Sequence, residues 1–157
     1  MLKVGARAPA IDAMTSSGMR FVLAEQIGLC TVIYFFPKSF TPGCTTETKS
    51  FRDNHVELEF AGVSVVGIST DDLATQCNFA RSIKTPFPLI GDNDSAICRA
   101  YDVLWPLIGV AKRVTYVISP EQQIEAVFRH ELDVKSHRDD VLRFVNTKFL
   151  GLRKGPR

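Results

Sequence analysis

Three short apolar runs constrain the fold of this chain more than any other feature. They are "CTVIYFF" (residues 30–36), "VSVVGIS" (63–69) and "RVTYVIS" (113–119). Each is rich in β-branched and aromatic residues and too short for a buried helix, so each predicts a strand covered on both faces. Beyond the third run, "PEQQ" (120–123) predicts a turn. "IEAVFRHE" (124–131) alternates as a paired hairpin strand should.

Between these runs the period changes. Cys44, Thr48, Phe51, His55 and Leu58 share one face of a helical pattern over 44–60. Leu73, Cys77 and Ala80 form a second stripe over 72–83, and "DNDSAICRAYDV" (92–103) offers Ser and Asp as N-caps before Ala96. Val141, Leu142, Val145 and Phe149 repeat at helical spacing near the end. Strand, helix, strand, helix, hairpin, helix predicts an α/β layer with a mixed sheet flanked by helices. A thioredoxin-like fold has this outline, although the pattern does not single it out.

With 45% hydrophobic and 23% charged residues over 157 positions, the chain can build a core of ordinary size. No repeat, low-complexity stretch or linker divides it, so one domain over 1–157 is expected, with 151–157 a flexible basic tail. A net charge of +2 gives no case for nucleic acid or an anionic membrane, and the tail "LRKGPR" reads as a solvated end. The first residues, "MLKVGARAPAIDAM", hold no continuous apolar segment of a secretory signal. No window approaches ~18 uninterrupted apolar residues, so no membrane span is expected and the cytoplasm is the default location.

Thiols stay reduced in that compartment, so Cys30, Cys44, Cys77 and Cys98 do not read as a disulfide framework. The chain lacks C-x-x-C, and His55, His130 and His137 lie far in sequence from every cysteine. That argues against a structural zinc site, a dithiol reductase and a Cys–His protease dyad alike. Neither metal nor cofactor is expected.

Attention falls on "YFFPKSFTPGCTTET" (34–48). Pro37 ends the first strand, because it cannot donate to a ladder, and Pro42 suits the first turn of a helix. Cys44 is thereby expected in a helical first turn at the C-terminal edge of a strand, where open α/β sheets hold ligands. Unpaired N–H groups and the helix dipole there favour thiolate over thiol. An ordinary cysteine of pKa ~8.5 is ~3% ionised at pH 7, and lowering it to ~6 gains only ~30-fold in nucleophile, about 2 kcal/mol. A fast enzyme would need further groups that stabilise a transition state. The residues alone leave two readings, a small core cysteine and a nucleophile.

"PKSFTPGC" resembles the Pro-x-x-x-Thr-x-x-Cys motif of the peroxiredoxins, and the wider stretch resembles their PrxQ, or bacterioferritin-comigratory-protein, subfamily. The likeness extends through "VGARAPAI", "VVGIST", "PFPLIGD" and "RVTYVISP". It implies a thioredoxin-like fold and a thiol peroxidase acting on hydrogen peroxide and organic hydroperoxides. Cys44 would be the peroxidatic cysteine, oxidised to a sulfenic acid. Thr41 would accept from a peroxide O–H or hold the sulfur, and Pro37 would shield the thiolate. Arg113 would stabilise the thiolate and the leaving oxygen. Glu47 either orients Arg113 or is a solvated first-turn glutamate. Recycling would fall to thioredoxin or a similar dithiol donor, and a monomer is the expected state.

One departure from the pattern matters. Many members of the subfamily carry a resolving cysteine five positions after the peroxidatic one, and Lys49 stands there. Cys77 matches the helix position another branch uses, yet it also lies on an apolar stripe, so resolving and structural readings both stand. Joining it to Cys44 needs Cα atoms within ~7 Å, which can require the first turns of both helices to unwind. Cys30 and Cys98 read as structural, and Trp105 as packing near the site rim. Two rival functions use the same residues: a non-enzymatic binding module in which Cys44 is incidental, and a redox sensor that passes oxidation to a client.

Overall fold

The computed structural model describes residues 1–129 except Ile27, Leu29 and Ala61, together with Arg143, Phe144 and Thr147. The described elements are β1 (Asp12–Met14), β2 (Arg20–Val22), a 3₁₀ turn (Leu23–Glu25), β3 (Cys30–Phe35), α1 (Pro42–Asp53), α2 (His55–Phe60), β4 (Val63–Ser69), α3 (Leu73–Ile83), β5 (Leu89–Gly91), α4 (Ala96–Ala100), β6 (Val114–Ile118) and β7 (Ile124–Arg129). The central sheet runs β5-β4-β3-β6-β7. β3, β4 and β5 are parallel, whereas β6 pairs antiparallel with both β3 and β7, so the sheet is mixed as expected. β1 and β2 form a separate antiparallel hairpin.

Every residue of β3 is buried, which is why its sequence is continuously apolar. Val32, Tyr34 and Phe36 face one core with Phe51, Phe79 and Phe87. Ile33 and Phe35 face the other with Tyr101 and Tyr116. Tyr34 pairs across the sheet with Gly67, and a Cβ there would lie 2.5 Å from the tyrosine ring. Glycine at 67 therefore lets the ring lie flat beneath α1, where its hydroxyl donates to Thr48 Oγ1 at 3.1 Å.

Several sequence expectations change. The 44–60 pattern is two helices, because the Asn54 side chain donates to the Ser50 carbonyl at 2.8 Å and its backbone leaves helical values. The buried face of α3 is Gln76, Phe79 and Ile83, while Leu73 is exposed and Cys77 only half-buried. A hydrogen-bonded glutamine takes a core position that hydropathy alone assigned to Cys77. Ser95 makes no capping bond with its side chain. Asp92 instead accepts from the amides of Ile97 and Cys98, and Asp94 from that of Ala96. β1, β2 and β5 are three residues each, too short to show a period. The helix expected around Val141, Leu142, Val145 and Phe149, and the 151–157 tail, lie outside the described residues.

Candidate active site

Phe35 and Val114 are register partners, so the end of β3 and the start of β6 meet at one edge of the sheet. That pairing carries Arg113 to the loop after β3, across 69 residues of sequence from Cys44. Thr41 is extended and serves as the N-cap residue of α1, its carbonyl accepting from the Thr45 amide at 2.9 Å. Pro42 opens the helix, its missing N–H costing nothing at that position. Cys44 is then the third helical residue, in the turn whose amides have no partner within the helix.

The thiol of Cys44 is 1% exposed, and Arg113 Nη2 donates to its sulfur at 3.3 Å. Arg113 Nη1 donates to Glu47 Oε1 at 2.6 Å. One planar guanidinium thus joins two acidic groups a helical turn apart, and the fork fixes its orientation. Glu47 is fully buried, which removes the solvated reading of it. Burial pushes its carboxyl up from 4.5 to about 7, against the opposing pull of Arg113. Burial pulls Arg113 down, and Glu47 and Cys44 more than reverse this, so the guanidinium keeps its charge.

Thr41 Oγ1 donates its proton to the Lys38 carbonyl at 2.8 Å. Its lone pairs can still accept a hydrogen bond. Pro37 is half-buried at the head of the same loop. Cys77 is elsewhere. Its sulfur lies 3.7 Å from the Ser16 carbonyl, in an open cavity of about 430 Å³ lined also by Ala80, Arg81 and Pro88. All four cysteines are free thiols. Burial pushes the Cys30 thiol up to about 12 and raises Cys98 further still, which suits the structural role expected of both. Trp105 is 38% exposed beneath the Lys112 ammonium. Among the described residues, no group of three or more His, Cys, Asp or Glu side chains gathers as a metal would need. None of the described helices is long and apolar enough to cross a membrane.

The sequence reading missed Ser39, Asp71 and Gln76, which tie the loop before Cys44 to α3. Their only signal was a polar residue at a core-facing helical position, visible once the stripe on α3 is drawn correctly.

Residues 4–127, which include Cys44 and Arg113, match the model of the AhpC/TSA family. The chain belongs to this family. Peroxiredoxin Bcp of Xanthomonas campestris is 37% identical over 134 residues, covering 81% of this chain and 82% of its own length. A putative peroxiredoxin of the same type from Coxiella burnetii is 35% identical, covering 81% and 88%. Among solved structures, peroxidoxin BcpB of Mycobacterium tuberculosis superposes with a TM-score of 0.86 at 28% identity, covering 94% of this chain and 99% of that one. A variant of Xanthomonas campestris peroxiredoxin Q gives 0.80 at 34% identity, covering 87% and 90%. Within the family the chain groups with the PrxQ/Bcp peroxiredoxins, enzymes that reduce peroxides with a cysteine thiol, and the fold is thioredoxin-like.

Proposed function

We propose that the protein reduces hydrogen peroxide and organic hydroperoxides with Cys44 as the attacking thiolate. The observation that carries this is the Arg113 fork, 3.3 Å from the Cys44 sulfur and 2.6 Å from Glu47, with all three side chains buried. The thiolate attacks one peroxide oxygen, the O–O bond breaks, and the sulfur becomes a sulfenic acid. Charge developing on the departing oxygen falls to Arg113 and the first-turn amides of α1, and it leaves as water or an alcohol on taking a proton. Thr41 accepts from the peroxide O–H and Pro37 screens the sulfur. Glu47 holds Arg113 in orientation. A solved relative from Xanthomonas campestris is described by its alkyl peroxide reduction, which supports including organic substrates.

Cys77 resolves the sulfenic acid in this scheme: the S–S bond forms, the S–O bond breaks, and water leaves with the thiol proton. A thioredoxin-like dithiol then reduces the disulfide. A cytoplasmic monomer, the state the resemblance to the subfamily implies, completes the reading; the near-neutral charge does not oppose it, and sedimentation of the reduced protein checks it.

The test is the intact mass of the reduced protein after one equivalent of peroxide. Loss of two hydrogens with a Cys44–Cys77 peptide is expected. Gain of oxygen on Cys44 without a bridge would remove Cys77 and leave a one-cysteine cycle. If Cys44→Ser consumed peroxide with a thioredoxin donor as fast as the wild type, Cys44 would be incidental and the binding-module reading would replace this one.

A further inference from the structure

We propose that Ser39 and Gln76 are positioning residues that clasp the Cys44 loop to the helix carrying Cys77, and so set how readily oxidised Cys44 reaches Cys77 before a second peroxide does. This rests on the peroxidase reading above and on Cys77 as the resolving thiol.

Ser39 lies between Pro37 and Thr41 and is 5% exposed. Its hydroxyl donates to Gln76 Oε1 at 2.7 Å, and its amide to Asp71 Oδ2 at 2.8 Å. Gln76 has no exposed surface. Its amide nitrogen donates to Ser69 Oγ at 2.9 Å and to the Ile90 carbonyl at 2.7 Å. The Ile90 carbonyl can only accept, so the Gln76 oxygen is the atom left facing Ser39. Ser69 Oγ donates to Asp71 Oδ2 at 2.6 Å, closing the network. The ends of β4 and β5 and the start of α3 therefore anchor one hydroxyl of the Cys44 loop.

The next loop residue grips the same helix. Phe40 sits at φ 66, a left-handed value that is strained for a bulky side chain, and its ring meets Phe79 edge-on at 5.1 Å. Gln76 and Phe79 bracket Cys77 along α3. The two sulfurs occupy different surroundings, Cys44 against Arg113 and Cys77 against Ser16 in its open cavity. Each sulfur must leave these partners for the two to bond, and the bond needs Cα atoms within about 7 Å. Gln76 is the residue before Cys77, so moving Cys77 out of its helical turn draws Gln76 away from Ser39. Moving the loop instead breaks the same contact from the other side. While the clasp holds, the sulfenic acid meets further peroxide and can pass irreversibly to sulfinic acid.

The experiment pulses reduced wild type, Ser39→Ala and Gln76→Met with rising hydrogen peroxide. Intact mass then reads the share that has lost two hydrogens against the share that has gained two oxygens. The midpoint concentration at which the shares are equal should rise about fivefold in Ser39→Ala, the factor one buried hydrogen bond of ordinary size represents in an equilibrium. It should rise further in Gln76→Met, which gives up three bonds at similar volume. Simple destabilisation lowers the melting temperature without moving this ratio, and Cys77→Ser with and without Ser39→Ala should gain two oxygens at the same peroxide concentration, since neither can form the bond that the clasp delays. An unmoved or lowered midpoint in Ser39→Ala, with the Cys44–Cys77 bond forming normally in the wild type, overturns the clasp alone. A wild type that never forms that bond overturns both the clasp and the resolving role of Cys77.

Discussion

Replacing Arg113 by methionine separates the chemistry of this site from its stability, because one side chain serves two acidic groups. Methionine keeps much of the stem and removes the charge and both donors. For the reaction, one preorganised donor at a developing charge is worth on the order of 10²–10³ in rate. Oxidation of Cys44 by hydrogen peroxide should slow by about that factor, since the helix terminus and Thr41 remain. For the fold, the consequence falls on Glu47, fully buried and already raised from 4.5 to about 7 by burial. Taking Arg113 away moves that carboxyl further up. A carboxyl raised in the folded state contributes stability that is complete below its unfolded pKa and is lost as pH rises through its folded value. In the wild type this loss therefore runs from about 4.5 and ends near pH 7. In Arg113→Met it continues above pH 7 at about 1.4 kcal/mol per pH unit. Quenched-flow mass spectrometry measures the rate, and urea unfolding from pH 5 to 9 measures the difference in slope. Adding Glu47→Gln should flatten the slope without restoring the rate. Oxidation of Arg113→Met within threefold of the wild type would refute the assignment, as would recovery of the rate in the double variant.

Two further outcomes follow from the packing. Gly67→Ala should cost about 1–3 kcal/mol in urea unfolding, because the new methyl meets the fully buried Tyr34 ring at 2.5 Å; a change below about 0.5 kcal/mol would mean the ring is free to move. Iodoacetamide at pH 8 should leave Cys30 and Cys98 unmodified in the native protein, since both are buried with thiols raised far above their ordinary value. Labelling of either at the rate of Cys77 would show that its strand or helix opens freely.

The parts of this protein legible in its sequence are those with a local cause. β3, β4 and β6 were visible because strands buried on both faces have almost no polar positions. The start of α1 was visible because Thr41, Pro42 and Gly43 carry their conformational preferences with them, and Cys44 followed from that start. Arg113 and Glu47 were legible only as positions in a resemblance, because a charge on a strand or in a helical first turn is ordinarily solvated.

What the tertiary structure decided are the relations between distant residues. The register of Phe35 with Val114 sets Arg113 against Cys44, and no local rule specifies a register. Burial of Glu47 follows from how α1 lies on Tyr34, which depends in turn on a glycine in the neighbouring strand. The hydropathy stripe put Cys77 in the core, whereas packing turned Gln76 inward, because a polar group whose hydrogen bonds are all met costs little to bury. That rotation leaves Cys77 half-buried beside an open cavity, and it gives the Cys44 loop its hold on the same helix. The sequence by itself determined the buried strands and the helical first turn that presents Cys44. The Arg113 contact of Cys44, and the hydrogen bonds that tie its loop to α3, exist only once non-local packing has brought them together.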